Sequence, residues 1–375
     1  MRLVALRELN PEMVLARSIF VNGNVYINKG MSGLDKYAER LDRIGIACVY
    51  VEDELSEAIE IPENISDETR TKCKDALRDA YSSIRENMAI DVSKIEGPLN
   101  ALMEDVLANK DVQINLSDIN AADDYTFGHS VSTAVYAALI GIDLGYGEVK
   151  MKELCLGAIL HDAGKMLIDP AILKKEGKLT DDEFKEIRRH PQLTYDILSR
   201  CKSLDEDVRL IGLQHHERMD GSGYPNRLRG YNIRAFGRIV AIADVYDALS
   251  SDRCYRPRWP NNQILDYLVK HSGKEFDNEM VASLLKRIAV YPTGSQVRLS
   301  DGSYGLIVRQ NEQMPLRPVV RIFKNPEGRF IPVQQIDLME RLSITITASQ
   351  LEIQREEQAQ RGFTTLKREM WGQQG

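Results

Sequence analysis

The chain has 375 residues, of which 43% are hydrophobic and 28% are charged, and its formal net charge is -7. This length predicts two or three domains with a buried core, and the acidic balance argues against DNA or RNA as a main partner. The five cysteines form no Cys-x-x-Cys pair, which is typical of a reducing compartment and argues against a zinc ribbon. The charged N-terminus and the lack of an apolar run of about 18 residues predict a cytoplasmic protein without a membrane span.

Residues 1–60 are predicted to form a small α+β module. The Asn-Gly-Asn sequence at 22–24 separates two β-forming runs, which is typical of a hairpin. A short helix is expected at 36–44 and a closing strand at 47–51. This segment carries no catalytic constellation, so we expect a packing or regulatory domain.

Residues 61–112 are predicted to be a helical linker. Ser66 is a candidate N-cap, and apolar residues recur at three- and four-residue spacing within 76–88 and again within 95–107. We expect this apolar stripe to pack on a neighbouring domain. A homodimer interface is the alternative.

Residues 113–290 are predicted to be helical almost throughout. Apolar periodicity indicates three long helices, at 131–144, 205–216 and 233–251. Thr180 opens a capping box, and Pro191 is expected to end that helix near His190.

Most histidines of the chain fall in this helical segment. Five of the six lie within about a quarter of the sequence, at His129, His161, His190, His215 and His216. Histidines that only fill a core would not cluster so tightly. Asp162 adds a carboxylate that can bridge two ions. Asp244, within an apolar run, is either a hydrogen-bonded core acid or a further ligand, and the histidine cluster favours a ligand.

Residues 291–345 are predicted to form a small β appendage, because short β-forming runs alternate with turns such as Asp301-Gly302. The sequence does not indicate a function for it. Residues 346–375 are rich in Gln and Glu and are predicted to be a polar tail, either a solvated helix or a disordered segment.

Four separated motifs lie within residues 118–290, in chain order His161-Asp162 with Gly164-Lys165, His190-Pro191, His215-His216-Glu217, and Asp220-Gly221-Ser222-Gly223-Tyr224-Pro225. Together they resemble the motifs of the HD-GYP family of HD-superfamily phosphohydrolases. The resemblance implies a mainly α protein with an all-helical HD-type phosphohydrolase domain at 113–290. The small α+β N-terminal module and the small β C-terminal appendage flank that domain.

The candidate ligands suit a pair of divalent metal ions. They are His129, His161, Asp162, His190, His215, His216 and Asp244. Mixed nitrogen and oxygen donors suit iron or manganese, with zinc or nickel as alternatives. A hydroxide that bridges the two ions would be the nucleophile for phosphodiester hydrolysis, and Asp162 would be the bridging ligand.

The resemblance also implies a substrate and roles for further residues. Asp162 and Lys165 would be catalytic. Substrate phosphate or guanine would contact Lys165, Gly223, Tyr224, Asp247, Arg253 and Arg256. The implied substrate is cyclic di-GMP, which the family opens to linear pGpG and sometimes cleaves onward to GMP. The Gly-Tyr-Pro loop is also implicated in binding diguanylate cyclase (GGDEF) proteins.

Two other functions stay open, namely an HD phosphohydrolase acting on another cyclic nucleotide and a non-catalytic, cyclic-dinucleotide-responsive signalling scaffold. The Gly-Tyr-Pro loop with Arg253 and Arg256 argues against the first, and the complete ligand set argues against the second. Cys254 and Thr194 depart from the family at positions that are not ligands. Tyr125 stands where a glutamate in some members holds a third metal, so we expect two metals and slow hydrolysis beyond pGpG.

Overall fold

The computed structural model describes residues 1–21, 24–44, 46, 48–61, 64–110, 125–173, 175, 177–251, 258–311, 314–357 and 359. Within these ranges the protein is mainly helical with small sheets near both ends, which confirms the predicted fold class. The helices are α1 (Ala38–Arg43), α2 (Asp67–Tyr81), α3 (Ile84–Asn87), α4 (Ser93–Ala108), α5 (Tyr125–Asp143), α6 (Glu148–Leu160), α7 (Pro170–Leu173), α8 (Asp181–Ile187), α9 (His190–Ser199), α10 (Glu206–Gln214), α11 (Ala235–Ser250), α12 (Asn261–His271) and α13 (Asn278–Arg287). The strands are β1 (Arg2–Ala5), β2 (Val14–Leu15), β3 (Ile19–Val21), β4 (Asn24–Ile27), β5 (Cys48–Glu52), β6 (Gln296–Leu299), β7 (Tyr304–Arg309), β8 (Val319–Lys324), β9 (Phe330–Asp337) and β10 (Ile346–Ser349).

One buried apolar cluster joins helices α2 to α6 and α9 to α13. At its centre, α6 is buried continuously from Leu154 to Leu160, and α5 is apolar along most of its length. A helix that is apolar all round belongs in a protein interior. The few polar residues of these two helices, among them His129, therefore lie in the core.

The segment predicted as a linker packs into this same core. Leu77 on α2 and Leu99 on α4 are fully buried, and burying each leucine stabilises the fold by about 2 kcal/mol. Ser66 caps α2 as predicted, because its Oγ accepts a hydrogen bond from Thr69 N at 3.2 Å. The apolar stripe is thus covered within the chain, and the homodimer interface stays a prediction.

The helix before His190 ends differently from the prediction. The capping box at Thr180 is confirmed, but α8 ends at Ile187 and His190 begins α9. Pro191 lies in the first turn of α9, where its missing N–H removes no helical hydrogen bond. His190 therefore enters the interior from the start of a helix.

The sheets near the two chain ends are small and antiparallel. The first has the strand order β1-β5-β2 beside the predicted hairpin β3-β4, and the second has the order β10-β6-β7-β8-β9. The start of the predicted polar tail forms a strand and then a helix, and a helix is one of the two forms predicted for this tail. Ile346–Ser349 forms β10, which pairs with β6, and residues 350–357 are helical.

These two end regions pack against each other. Leu3 shares a buried cluster with Leu306 and Phe323 of the C-terminal sheet, and its N–H donates to Gly294 O at 3.1 Å. The Arg321 guanidinium donates to two backbone carbonyls of the N-terminal module. Among the helices in the described part of the chain, none is long and apolar enough to cross a membrane.

Candidate metal centre

The seven predicted ligands lie on or at the ends of five helices and converge in the interior of the helical core. They are His129 on α5, His161 and Asp162 at the end of α6, His190 at the start of α9, His215 and His216 at the end of α10, and Asp244 on α11. All are buried except His216, which is partly exposed. Burying so many polar groups together is costly unless they share protons or cations.

The ligand atoms form two groups. His129, His161 and Asp162 make the first triad, and His190, His215 and His216 make the second triad. Within each triad, the ligand atoms all lie within 4.8 Å of one another. Ligands that share one ion at about 2.1 Å lie up to about 4 Å apart, so modest contraction would close each triad on an ion.

Asp162 belongs to the first triad, but its two carboxylate oxygens face the histidines of different triads. Its Oδ2 lies 3.3 Å from His161 Nε2 and 3.7 Å from His129 Nε2. Its Oδ1 lies 3.3 Å from His190 Nε2 and 3.9 Å from His215 Nε2. Each oxygen can therefore serve a different ion, which is the arrangement of a bridging carboxylate.

Asp244 is a second carboxylate between the triads. Its Oδ1 lies 3.1 Å from His129 Nε2, and its Oδ2 lies 3.7 Å from His216 Nδ1. Both oxygens thus face imidazoles. This placement favours a metal ligand over a hydrogen-bonded core acid.

Hydrogen bonds to the far ring nitrogens orient four of the histidines. The Nδ1 atoms of His161, His190 and His215 lie 2.7, 2.7 and 3.1 Å from backbone carbonyls three or four residues earlier. His129 Nδ1 lies 2.6 Å from Asp247 Oδ2. In each ring Nδ1–H donates, which leaves Nε2 as the ligand atom.

Two buried ligand atoms, His161 Nε2 and Asp162 Oδ1, have no hydrogen-bond partner among the residues that the structure describes. An unsatisfied buried polar group costs about 1–3 kcal/mol. Divalent cations would satisfy both atoms, and imidazole nitrogens with carboxylate oxygens are a donor set that such cations accept. The residues present therefore fit divalent metal ions.

The two triads differ in charge. Burial alone would lower the pKa of His129, but hydrogen bonds to Asp244 and Asp247 raise that pKa to about 9. Burial lowers the pKa of His190 to about 4 and holds the pKa values of the other two histidines of the second triad well below their ordinary value. The first triad therefore combines a protonated imidazole, His129, with the carboxylate of Asp162, whereas the three imidazoles of the second triad are neutral.

Lys165 neutralises the bridging carboxylate. Its Nζ lies 2.6 Å from Asp162 Oδ2, and its side chain is 26% exposed. Burial alone would raise the pKa of Asp162, yet Lys165 and the nearby imidazoles hold that pKa well below its usual range. The ammonium extends from the bridge toward solvent, where it can meet a phosphate.

The loop after the paired histidines is anchored by Glu217. This carboxylate is buried and accepts hydrogen bonds from Asn226 N at 2.7 Å and Leu228 N at 2.9 Å. Gly223 lets the loop approach the histidines, because a Cβ there would lie 2.5 Å from Glu217 Cα and from His216 O. The loop is thus pinned on both sides.

Thr194 joins two of the motifs. Its hydroxyl accepts from Gly164 N at 2.9 Å and donates to His190 O at 2.8 Å. A Cβ at Gly164 would lie 2.3 Å from His190 O, so only glycine permits this approach. Thr194, which differs from the residue common in the family, therefore connects the segment after Asp162 to the helix that carries His190.

Several predicted residues are not tested by this geometry. Arg253 and Arg256 lie outside the described residues, as do Cys254 and residues 111–124. Tyr125 begins α5, and its predicted replacement of a third-metal ligand stays a prediction. Asp247 is 3% exposed with its Oδ2 beside His129 Nδ1, so its contact with substrate also stays a prediction.

The sequence analysis did not predict the roles of three residues of this site, namely Glu217, Thr194 and Arg188. The guanidinium carbon of Arg188 lies 4.3 Å from the ring centre of Tyr224. Glu217 had a usable signal, because a carboxylate that precedes a glycine-rich loop can accept hydrogen bonds from its backbone. Thr194 and Arg188 had none. Their partners are decided by how α8, α9 and the loop pack.

The helical core and its histidine–aspartate centre define an HD-domain protein with a candidate metal site, and residues 102–280 match the family described as "HD domain". The chain is 34% identical over 282 residues to "Cyclic di-GMP phosphodiesterase response regulator RpfG" of Xanthomonas campestris pv. campestris, covering 70% of this chain and 73% of that protein. The chain belongs to the HD-GYP family, as the sequence predicts. Residues 296–357 match a "KOW domain associated with HD domain", which extends past the predicted end of the β appendage at 345.

Two further relatives have related names. The chain is 33% identical over 269 residues to "Cyclic di-GMP phosphodiesterase PA4108" of Pseudomonas aeruginosa, covering 72% of this chain and 65% of that protein. It is 35% identical over 190 residues to "3'3'-cGAMP-specific phosphodiesterase 2" of Vibrio cholerae serotype O1, covering 50% of this chain and 36% of that protein. This chain therefore spans only part of each relative's length.

Proposed function

We propose that this protein is a metal-dependent phosphodiesterase that opens cyclic di-GMP to linear pGpG. The observation that supports this most is the position of Asp162, whose two oxygens face separate ligand triads. Two relatives that match about 70% of this chain are named cyclic di-GMP phosphodiesterases. A bridged pair of ligand triads suits a two-metal site, which is one established way to hydrolyse a phosphodiester at neutral pH.

The seven ligands would hold two divalent ions per chain, iron or manganese, with zinc and nickel as alternatives. When bound, such ions supply a hydroxide at neutral pH and neutralise phosphate oxygens. Asp162 and Asp244 contribute the anionic charge that keeps cations in a buried site. We assign Asp247 to the orientation of His129, because its carboxylate accepts from Nδ1 of that ring.

Lys165 is the described cation that is best placed to contact the substrate. Its ammonium borders the bridging carboxylate and is partly exposed, so a phosphate oxygen of the substrate can replace or share Asp162 as its partner. Arg253 and Arg256 are proposed as further contacts to phosphate or guanine, and Gly223 and Tyr224 as the loop beside them.

A second candidate substrate is a mixed cyclic dinucleotide, because one relative at 35% identity is named a 3'3'-cGAMP-specific phosphodiesterase. The two substrates differ in one purine and share both phosphodiester bonds, so the metal centre would treat them alike. The non-catalytic scaffold is disfavoured, since all seven expected ligands converge within the described part of the chain.

The test is a product analysis. Purified protein is loaded with Mn²⁺, or with Fe²⁺ under anaerobic conditions, and incubated with cyclic di-GMP or 3'3'-cGAMP, and products are separated by ion-exchange chromatography over time. We expect pGpG to accumulate well before GMP, and a higher kcat/KM for cyclic di-GMP. A higher kcat/KM for 3'3'-cGAMP would favour the second candidate. Absence of turnover in protein that holds two ions would support the scaffold.

The remaining assignments are proposals with their own measurements. Elemental analysis should return two ions per chain, and three fully occupied ions would contradict this number. A GGDEF protein as partner of the Gly-Tyr-Pro loop, a homodimer and a cytoplasmic location remain predictions, as do the domain limits at residues 60, 112 and 290.

A further inference from the structure

His216 differs from the other four histidines of the centre in how its ring is oriented. Each of the others has its Nδ1 in a hydrogen bond to a backbone carbonyl or to Asp247. Among the described contacts, the His216 ring makes no hydrogen bond, and its Nδ1 lies 3.7 Å from Asp244 Oδ2. A metal ligand whose ring is free to rotate binds its ion weakly, so another contact must fix this imidazole.

Besides the rings of His190 and His215, which are themselves candidate ligands, Tyr224 contacts this imidazole. Its ring stacks on the His216 imidazole with centroids 4.7 Å apart and an interplanar angle of 27°. Its backbone N–H also donates to His216 O at 3.2 Å, so ring and backbone of one residue both contact the histidine. Gly223 makes this possible, because any side chain there would collide with the backbone of 216–218.

Arg188 also packs on the tyrosine ring. Its guanidinium carbon lies 4.3 Å from the Tyr224 ring centre. The His216 imidazole and the Arg188 guanidinium therefore both lie within stacking distance of the Tyr224 ring. A cation and a stacked imidazole both pack favourably on an aromatic ring.

We propose that Tyr224 and Arg188 are positioning residues for His216, which they hold in the orientation that binds the ion of the second triad. This rests on the proposed metal-dependent function and assigns the tyrosine of the Gly-Tyr-Pro loop to the metal ligand instead of to the substrate. The stack replaces the hydrogen bond that orients each of the other four histidines. It also links α8, which carries no ligand, to the second triad.

The test measures Mn²⁺ binding without substrate. Wild type, Tyr224→Phe, Tyr224→Leu and Arg188→Ala are titrated with Mn²⁺, with free ion followed by electron paramagnetic resonance and bound ion by elemental analysis. Loss of a contact that orients a ligand typically costs about 10- to 100-fold in metal affinity. We expect Tyr224→Leu to weaken the second Mn²⁺ by about 10-fold or more, Arg188→Ala by about 3-fold, and Tyr224→Phe, which keeps the stacked ring, by less than about 2-fold.

Two matched controls separate this effect from general damage. Tyr231→Leu makes the same change at a tyrosine that is 81% exposed, and Arg189→Ala removes the neighbouring arginine, which pairs with Glu186 at 2.9 Å. Both controls should bind two Mn²⁺ like wild type. Activity of Tyr224→Leu should return at high Mn²⁺ with an unchanged KM for cyclic di-GMP.

Wild-type affinity for both ions in Tyr224→Leu and Arg188→Ala would overturn the inference. A raised KM with normal metal content would assign Tyr224 to the substrate and overturn it equally. If Tyr224→Leu does not fold, Arg188→Ala decides, because Arg188 is partly exposed. A wild type that binds no pair of Mn²⁺ ions would instead count against the proposed function itself.

Discussion

The two ligand triads solve the burial of polar groups in different ways. In the first triad, His129 lies against Asp244 and Asp247, and these carboxylates raise its pKa to about 9 despite burial. In the second triad, three imidazoles face one another, and burial lowers the pKa of His190 to about 4. Opposite charges stabilise each other in the first triad, whereas neutrality avoids the cost of burial in the second.

This difference bears on how the site would accept metal. Imidazole binds metal only when it has lost its ring proton. The second triad already has neutral rings at pH 7, so protons do not compete for it. The first triad must release the proton of His129, but its carboxylates then offer a cation more charge. The comparison predicts unequal halves that Asp162 joins, with Asp244 as a second carboxylate between His129 and His216.

The largest expected effect comes from removing Asp162, the carboxylate that faces both triads. Asp162→Ala should lower kcat by about 1,000-fold or more, since several kcal/mol of transition-state stabilisation depend on both ions acting together. The measurement is turnover of cyclic di-GMP at saturating Mn²⁺. Asp42→Ala, a change at a residue outside the helical core, is the matched control. Unchanged turnover in the Asp162 variant would refute the bridged mechanism.

Lys165→Ala should come next, with a loss of about 100-fold in kcat/KM, because one charged hydrogen bond to phosphate contributes about 1.5–3 kcal/mol. Metal content should stay at the wild-type level. The same result is expected for Arg253→Ala. Metal content that falls in parallel with activity would give either residue a structural role instead of a contact to substrate.

Asp247→Asn should weaken only the first half of the centre. The amide can still accept from His129 Nδ1 but lacks the charge, so we expect about a 10-fold loss in affinity for one of two Mn²⁺ ions. Titration with Mn²⁺ measures this. If both ions bind normally and the KM for cyclic di-GMP rises, Asp247 contacts the substrate, as the family resemblance implies.

The smallest effect is a proton count. Because the pKa of His129 is about 9 without metal, this ring is protonated at pH 7.5, and ion binding should release about one proton from the first triad. The affinity of that ion should therefore rise about tenfold per pH unit and level off above pH 9. Calorimetric titrations in buffers of different ionisation enthalpy report the proton number. No release at pH 7.5 would show that His129 is neutral before metal binds.

The sequence predicts which candidate ligands lie together because their signals are local. His161 and Asp162 are adjacent at the end of one apolar helix, and His215 and His216 are adjacent at the end of another. Adjacent residues at a helix end enter the core together wherever that helix packs. The error at His190 was also local, since Pro191 suits the first turn of a helix as well as the position after one.

The appendages show the reverse. Their strands follow from composition and turn residues, but no signal in either segment indicates that the two chain ends pack together. The hydrogen bond between Leu3 N and Gly294 O joins two residues that lie on either side of the helical domain in the sequence. Strand β10 extends the C-terminal sheet, although the sequence analysis assigned its residues to a polar tail. Strand pairing depends on a partner edge, which composition does not reveal.

The sequence by itself determined the helical class, the candidate metal ligands and the family. These follow from residue types at short spacing. Only the tertiary structure decided that Asp247 lies behind His129, that Thr194 joins two motifs, and that Tyr224 contacts both His216 and Arg188. His129 and Asp247 are 118 positions apart, and such a contact forms only when two helices pack. Which atoms meet there is decided by packing over the whole core, and no local pattern records it.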